Sequence, residues 1–175
     1  YAEAVSRDLP ILSRAELLGQ LMINYKMPIA VSGTHGKTST TSMASHILLA
    51  ADMDPTISVG GILKAIHGNI RVGGHETFIT EACEYTNSFL EFFPKISIIL
   101  NIDADHLDFF KDLDDIRRSF RLFAERLPSD GILIINSDIP DYQEITSNLP
   151  CKVITYGTGP SSDYSASDIR FDQLA

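Results

Sequence analysis

The chain has 175 residues, enough for one sizeable core and too few for two complete domains at ~150 residues each. Hydrophobic residues make up 44% and charged residues 21%, a balance that excludes a disordered or fibrous chain. With 14 basic and 23 acidic side chains the formal charge is −9, the wrong sign for a general binder of nucleic acid or anionic membrane, so an anionic ligand has to be captured locally.

The opening YAEAVSRDLP has a short helical pattern stopped by Pro10, and neither the basic stretch nor the apolar core of a secretion signal. With only Cys83 and Cys151 in the chain, a reducing, cytoplasmic setting is the expectation. A first residue of Tyr rather than Met suggests a piece of something longer. Ser13 and Glu16 form a capping box that opens an apolar run and reads as a connector entering a sheet. Strands are predicted over Ile29–Ser32, Thr56–Val59, Phe78–Ala82, Ser97–Ile102, Ile132–Ile135 and Lys152–Tyr156.

Between these lie an amphipathic helix, Thr38–Ala51, with Met43, Ala44, Ile47, Leu48 and Ala51 at helical spacing, and a second, Asp112–Leu127, with Ile116, Phe120, Phe123, Ala124 and Leu127 on one face and Pro128 after it. A third lies between Pro140 and Leu149. Gly60-Gly61 and Gly73-Gly74 bracket a polar stretch with His67, Asn69 and His75 that reads as a loop or hairpin. The longest apolar stretch, around Ile96–Ile102, is broken by Ser97 and Asn101 and falls far short of the ~20 residues of a membrane span. Strands alternating with helices predict an α/β fold with a mostly parallel sheet flanked by helices.

The sharpest motif is Gly33-Thr34-His35-Gly36-Lys37-Thr38-Ser39, placed between a strand and a helix as a phosphate loop must be. Glycines let successive amide N–H groups turn inward onto phosphate oxygens, and the helix adds its positive end. Lys37 would reach the outer phosphates and the Thr38 hydroxyl a Mg²⁺ ion; without ligand, Lys37 is expected to stand largely exposed. The longer six-residue spacing between glycines is not met, since Val31 stands where its first glycine belongs. A plain glycine-rich turn with a surface lysine is the alternative, and the strand and helix flanks weigh against it.

In such a sheet, ligands lie beyond the carboxyl ends of the strands. Glu81 and Glu84 end one strand, and Asn101-Ile-Asp103-Ala-Asp105-His106-Leu-Asp108 follows another. Hard oxygens suit Mg²⁺, which takes one or two carboxylates plus substrate phosphates; a solvated strand end for the two glutamates and a packing role for His106 remain open from spacing alone. Asp112, Asp114 and Asp115 read as helix-capping acids, and Cys83 as a packing residue.

Taken together, Gly33-Thr-His-Gly-Lys-Thr38, Glu81-Ala-Cys-Glu84 with Ser88-Phe89-Leu90, and Asn101-Ile-Asp-Ala-Asp-His106-Leu-Asp108 resemble the ATP-binding central domain of the Mur ligases, over nearly the whole chain. His35 favours the alanine-adding branch and its relative, the murein-tripeptide recycling ligase. The resemblance implies that residues 1–26 are the end of a preceding domain and a connector helix, and 27–175 the central domain, truncated at its C-terminal end. It implies a cytoplasmic enzyme of peptidoglycan precursor synthesis, with ATP and Mg²⁺ as cofactors and UDP-N-acetylmuramate and L-alanine as substrates. By the same resemblance, Gly33 to Ser39 hold the nucleotide, Lys37, Glu81 and His106 are catalytic, and Thr38, Glu81 and His106 hold metal. Other members carry a modified lysine about fifteen residues past the histidine; the matching position here is Arg121, which cannot take that role.

The chemistry implied is phosphorylation of the lactyl carboxylate by ATP, then attack of the alanine amine on the acyl phosphate. Such a chain alone is expected to turn nothing over. A recycling or folylpolyglutamate-synthase-like ligase, a P-loop ATPase of another class, and a non-catalytic nucleotide-binding module are the alternatives.

Overall fold

A computed structural model describes residues 1–170. Its elements, in chain order, are α1 (Ala2–Ser6), α2 (Arg14–Met22), β1 (Met27–Ser32), α3 (Lys37–Ala50), β2 (Thr56–Leu63), β3 (Gly68–Arg71), β4 (Thr77–Ala82), β5 (Ile96–Ile99), α4 (Leu113–Ala124), β6 (Ile132–Asn136), α5 (Gln143–Thr146), β7 (Lys152–Gly157) and β8 (Tyr164–Ser165). The strands form a single sheet in the order β3-β2-β4-β1-β5-β6-β7-β8. Every described pairing is parallel except β2 with β3. None of the described helices is long and apolar enough to cross a membrane.

Side-chain alternation along β1 explains the three layers. Ile29 and Val31 face one way, joining Ile57, Val59 and Ile79 under α3, while Ala30 faces the other, into a larger core with Phe78, Phe89, Phe120, Phe123 and Leu133. On that larger side α4 buries Ile116, Phe120, Phe123 and Ala124 as its periodicity predicts. Asp112 caps it, accepting from the Asp115 amide at 2.9 Å. The helix stops at Ala124, short of Pro128, and Leu127 continues its buried face from the turn beyond. The capping box of α2 is also present: Ser13 Oγ accepts from the Glu16 amide and the Glu16 carboxylate from the Ser13 amide.

Helix α3 keeps part of its predicted face, with Ala44 and Leu48 half-buried against the core, and departs from the rest. Met43 and Ile47 point to solvent, at 61% and 69% exposed, and the buried positions are Thr41 and Ser45. A helix starting at the end of a central strand has to lie close over β1, β2 and β4, and small side chains permit that approach. Ser45 meets its own hydrogen-bonding need by donating to the Thr41 carbonyl at 2.7 Å.

Two strands differ from the predicted bounds by three residues or more at one end. β2 runs on to Leu63 and folds back through a left-handed turn at His67 into β3, so the glycine-bracketed stretch is a hairpin. β5 ends at Ile99 rather than Ile102, because the chain beyond Leu100 leaves the ladder to brace the loop after β1. Lying between β4 and β5, β1 is reached from two directions: the chain leaves it through α3 for one side of the sheet and later enters β5 on the other. The carboxyl ends of β1, β4 and β5 therefore open a crevice at the point where strand order reverses.

Candidate functional site

The loop at the end of β1 holds its shape through backbone freedom and one long-range brace. Gly33 and Gly36 have φ of 143° and 82°, conformations that a side chain would strain. From the end of β5, Asn101 grips the loop on both edges: its Oδ1 accepts from the His35 amide at 2.7 Å and its Nδ2 donates to the His35 carbonyl at 3.0 Å. The Thr34 hydroxyl adds a further tie, accepting from the Asp103 amide at 2.9 Å. Gly36 is the N-cap of α3, which has no side-chain cap and no acid in its first turn. Its leading amides and positive dipole end are left for an external anion. His35, Thr38 and Ser39 lie exposed on this rim, with Thr34 buried beneath.

Two acids from the end of β4 meet the loop at different places. Glu81 accepts from the Thr38 hydroxyl at 3.0 Å and from the Gly60 amide at 2.5 Å, bridging the start of α3 to β2. A Cβ on Gly60 would lie 2.9 Å from the Glu81 carboxylate, so the glycine makes room for it. Glu84, only 2% exposed, takes the Lys37 ammonium at 2.9 Å, while Lys37 also donates to the carbonyls of Gly33 and Thr34. The expectation of an exposed Lys37 is therefore corrected: its side chain is 16% exposed, caged between a buried carboxylate and its own loop.

His106 joins this group from the other strand end. Its Nε2 lies 3.9 Å from the Glu84 carboxylate, and its ring packs on Tyr85 with centroids 4.5 Å apart. Tyr85 is fixed in turn by donating to Asp108 at 2.8 Å, a bond that raises the phenol above its ordinary pKa. Thr86 and Asn87 follow with left-handed backbones at φ of 54° and 57°. Asn87 is anchored to α4 by a hydrogen bond from Ser119.

One sequence reading changes here. Cys83 is exposed, not packed; it lines a cavity of about 370 Å³ with Arg14, Gly60, Glu81 and Tyr85. Arg121 donates to the carbonyls of Ile145 and Ser147, clamping α4 to α5, while Ser119 of α4 hydrogen-bonds Asn87 in the site segment. Glu84 and Asn101 were legible as motif members, but their contacts with the loop span 47 and 66 residues and leave no local signal.

Among the described residues no three His, Cys, Asp or Glu side chains stand close enough to hold a metal. Thr38 and Glu81 do present a hydroxyl and a carboxylate side by side, a hard-oxygen pair that fits a Mg²⁺ ion completing its shell with phosphate and water. The acids nearest His106 Nε2 among the described residues are Glu84 and Asp105, at 3.9 and 4.0 Å.

Residues 31–174 match the Mur ligase middle domain. The chain is 63% identical over 175 residues to the UDP-N-acetylmuramate--L-alanine ligase of Lachnospira eligens, covering 99% of this chain and 38% of that protein. It is 53% identical over 173 residues to the ligase of the same name from Clostridium botulinum, with 99% and 38% covered. Among solved structures, the UDP-N-acetylmuramate-alanine ligase of Thermotoga maritima superposes with a TM-score of 0.70 at 30% identity, over 89% of this chain and 35% of that one. The UDP-N-acetylmuramate:L-alanyl-gamma-D-glutamyl-meso-diaminopimelate ligase of Neisseria meningitides, at 24% identity, shares the fold with a TM-score of 0.78 over 89% of this chain and 53% of that one. The chain thus spans well under half the length of the curated relatives it matches. From its braced glycine loop, strand-end acids and sheet order, and from a family match running from β1 past β8, the chain belongs to the Mur ligase family and forms its middle domain.

Proposed function

We propose that this chain is the ATP-handling domain of an enzyme that joins L-alanine to the lactyl carboxylate of UDP-N-acetylmuramate through an acyl phosphate. The observation that carries the reading is the convergence of Lys37, Thr38 and Glu81 on the uncapped start of α3. Identities of 53–63% to proteins named UDP-N-acetylmuramate--L-alanine ligase support the choice of substrates. Residues 1–26 are assigned to the end of a preceding domain and its connector, and residues 27–175 to the central domain. The UDP-sugar and amino-acid contacts are assigned to portions of the relatives' length that lie outside this chain.

The first step brings two anions together: a carboxylate oxygen attacks the γ-phosphorus while the bond to ADP breaks. Loop amides and the Lys37 ammonium take up charge on the phosphoryl oxygens, and the Asn101 brace keeps those amides in place. Thr38 and Glu81 would hold a Mg²⁺ ion, whose contribution would be charge neutralisation on the phosphates. His106, with its Nε2 3.9 Å from the Glu84 carboxylate, is assigned to orienting the acceptor carboxylate. In the second step the alanine amine attacks the acyl carbon and phosphate leaves.

The test is phosphate release by the complete polypeptide carrying this chain, with ATP and UDP-N-acetylmuramate, with and without L-alanine. The expected result is alanine-dependent release. Equal release without the UDP-sugar would point to an ATPase of another class, and a preference for a tripeptide or for glutamate to the recycling or folylpolyglutamate-synthase-like alternatives.

A further inference from the structure

We propose that Glu84 is a positioning residue that parks the loop lysine, so that nucleotide binding is an exchange of one anion for another at Lys37 Nζ. An ammonium has three protons to donate, and all are engaged here, by the Gly33 carbonyl at 2.6 Å, the Thr34 carbonyl at 3.1 Å and the Glu84 carboxylate at 2.9 Å. A phosphate oxygen reaches Nζ only if one of these lets go. The two carbonyls belong to the loop itself and travel with the lysine, whereas Glu84 belongs to the segment after β4. Leaving Glu84 for phosphate also keeps the lysine's charge paired throughout.

The released carboxylate is 2% exposed, and its other ion-pair neighbour among the described residues is His106, whose Nε2 is already 3.9 Å away. Tyr85, next in sequence to Glu84, holds the His106 ring in place and is itself held by Asp108. Phosphate arrival in the loop is thereby linked to the Glu84–His106 contact. The carboxylate acts through the lysine and the histidine and needs no contact with substrate. This inference rests on the phosphate-loop reading above.

The experiment is calorimetric titration of ATP into the complete polypeptide as wild type, Lys37→Ala, Glu84→Gln and the double variant, with steady-state kinetics on each. A competitor holding the lysine in about nine molecules of ten raises the apparent Kd about tenfold, so Glu84→Gln is expected to bind ATP up to about tenfold more tightly. Its KM for ATP should fall along with kcat, and the gain should vanish in the double variant. A residue that merely supports the fold would do the reverse, weakening binding and lowering Tm together. Should Glu84→Gln fail to fold, Glu84→Asp, whose shorter side chain draws the carboxylate back from Nζ, is expected to tighten ATP binding in the same direction. If Lys37→Ala weakens ATP binding while the Glu84 variant that folds binds no more tightly than wild type, the parking role is overturned and the loop reading stands. If wild type and Lys37→Ala bind ATP equally, the loop reading falls and the parking role with it.

Discussion

Replacing Lys37 by alanine lowers kcat/KM for ligation by at least about 100-fold, the equivalent of ~3 kcal/mol from two charge-assisted contacts to phosphoryl oxygens at roughly 1.5 kcal/mol or more each. The same substitution also destabilises the fold. Lys37 is the cation paired with Glu84, a carboxylate only 2% exposed, and its removal leaves that group with His106 at 3.9 Å. An unpaired buried group of this kind costs about 1–3 kcal/mol, which in a domain of this size lowers Tm by roughly 2–4 °C per kcal/mol. Kinetics and calorimetry on one protein preparation check both halves. Near-normal turnover would contradict the phosphate loop, and an unchanged Tm would contradict the caged pair.

Phe123→Ala is expected to cost about 3–5 kcal/mol of stability, the range for emptying a buried aromatic site. Phe123 is fully buried and stacks on Phe89 with centroids 4.6 Å apart and planes 4° from parallel, while Phe120 meets Phe89 edge-on at 5.4 Å. Phe89 in turn donates its amide to the Cys83 carbonyl at 3.0 Å, next to Glu84, so this aromatic cluster is the floor under the site segment. Urea unfolding measures the loss. Leu122→Ala, on the same helix but 50% exposed, is the control and should change stability by less than about 0.5 kcal/mol. Equal effects at the two positions would contradict the described orientation of α4.

How much of this was legible in the sequence depended on how local each determinant is. The capping box at Ser13 and Glu16, the acid cap at Asp112 and the apolar stripe of α4 are set within a turn or two of helix, and each appears where the sequence places it. The strand, glycine loop and helix from Ile29 to Ala50 are local in the same sense. The face of α3 was read correctly at Ala44 and Leu48 and misread at Met43 and Ile47, because apolar spacing reports a helix's own amphipathicity, whereas burial there is decided by how near the sheet lies. Thr41 and Ser45 win over Met43 and Ile47 on size.

The site was half legible for a related reason. Glu81 pointed to itself by closing a strand, but the pairing of Lys37 with Glu84 and the grip of Asn101 on His35 depend on which strands are neighbours. Nothing within ten residues of either end of these contacts announces them. Cys83 and Arg121 were placed by composition and by counting along the chain, and the structure turns both toward surroundings that counting does not reveal.

The most direct test of the central claim follows an oxygen atom. If the γ-phosphoryl group passes to the substrate carboxylate, one carboxylate oxygen becomes the bridge of the acyl phosphate and leaves with phosphorus when the amine attacks. With both lactyl carboxylate oxygens of UDP-N-acetylmuramate replaced by a heavy isotope, the complete polypeptide, ATP and L-alanine should release phosphate carrying one labelled oxygen per molecule, read by mass spectrometry. Phosphate released in step with amide formation but without label would contradict the account.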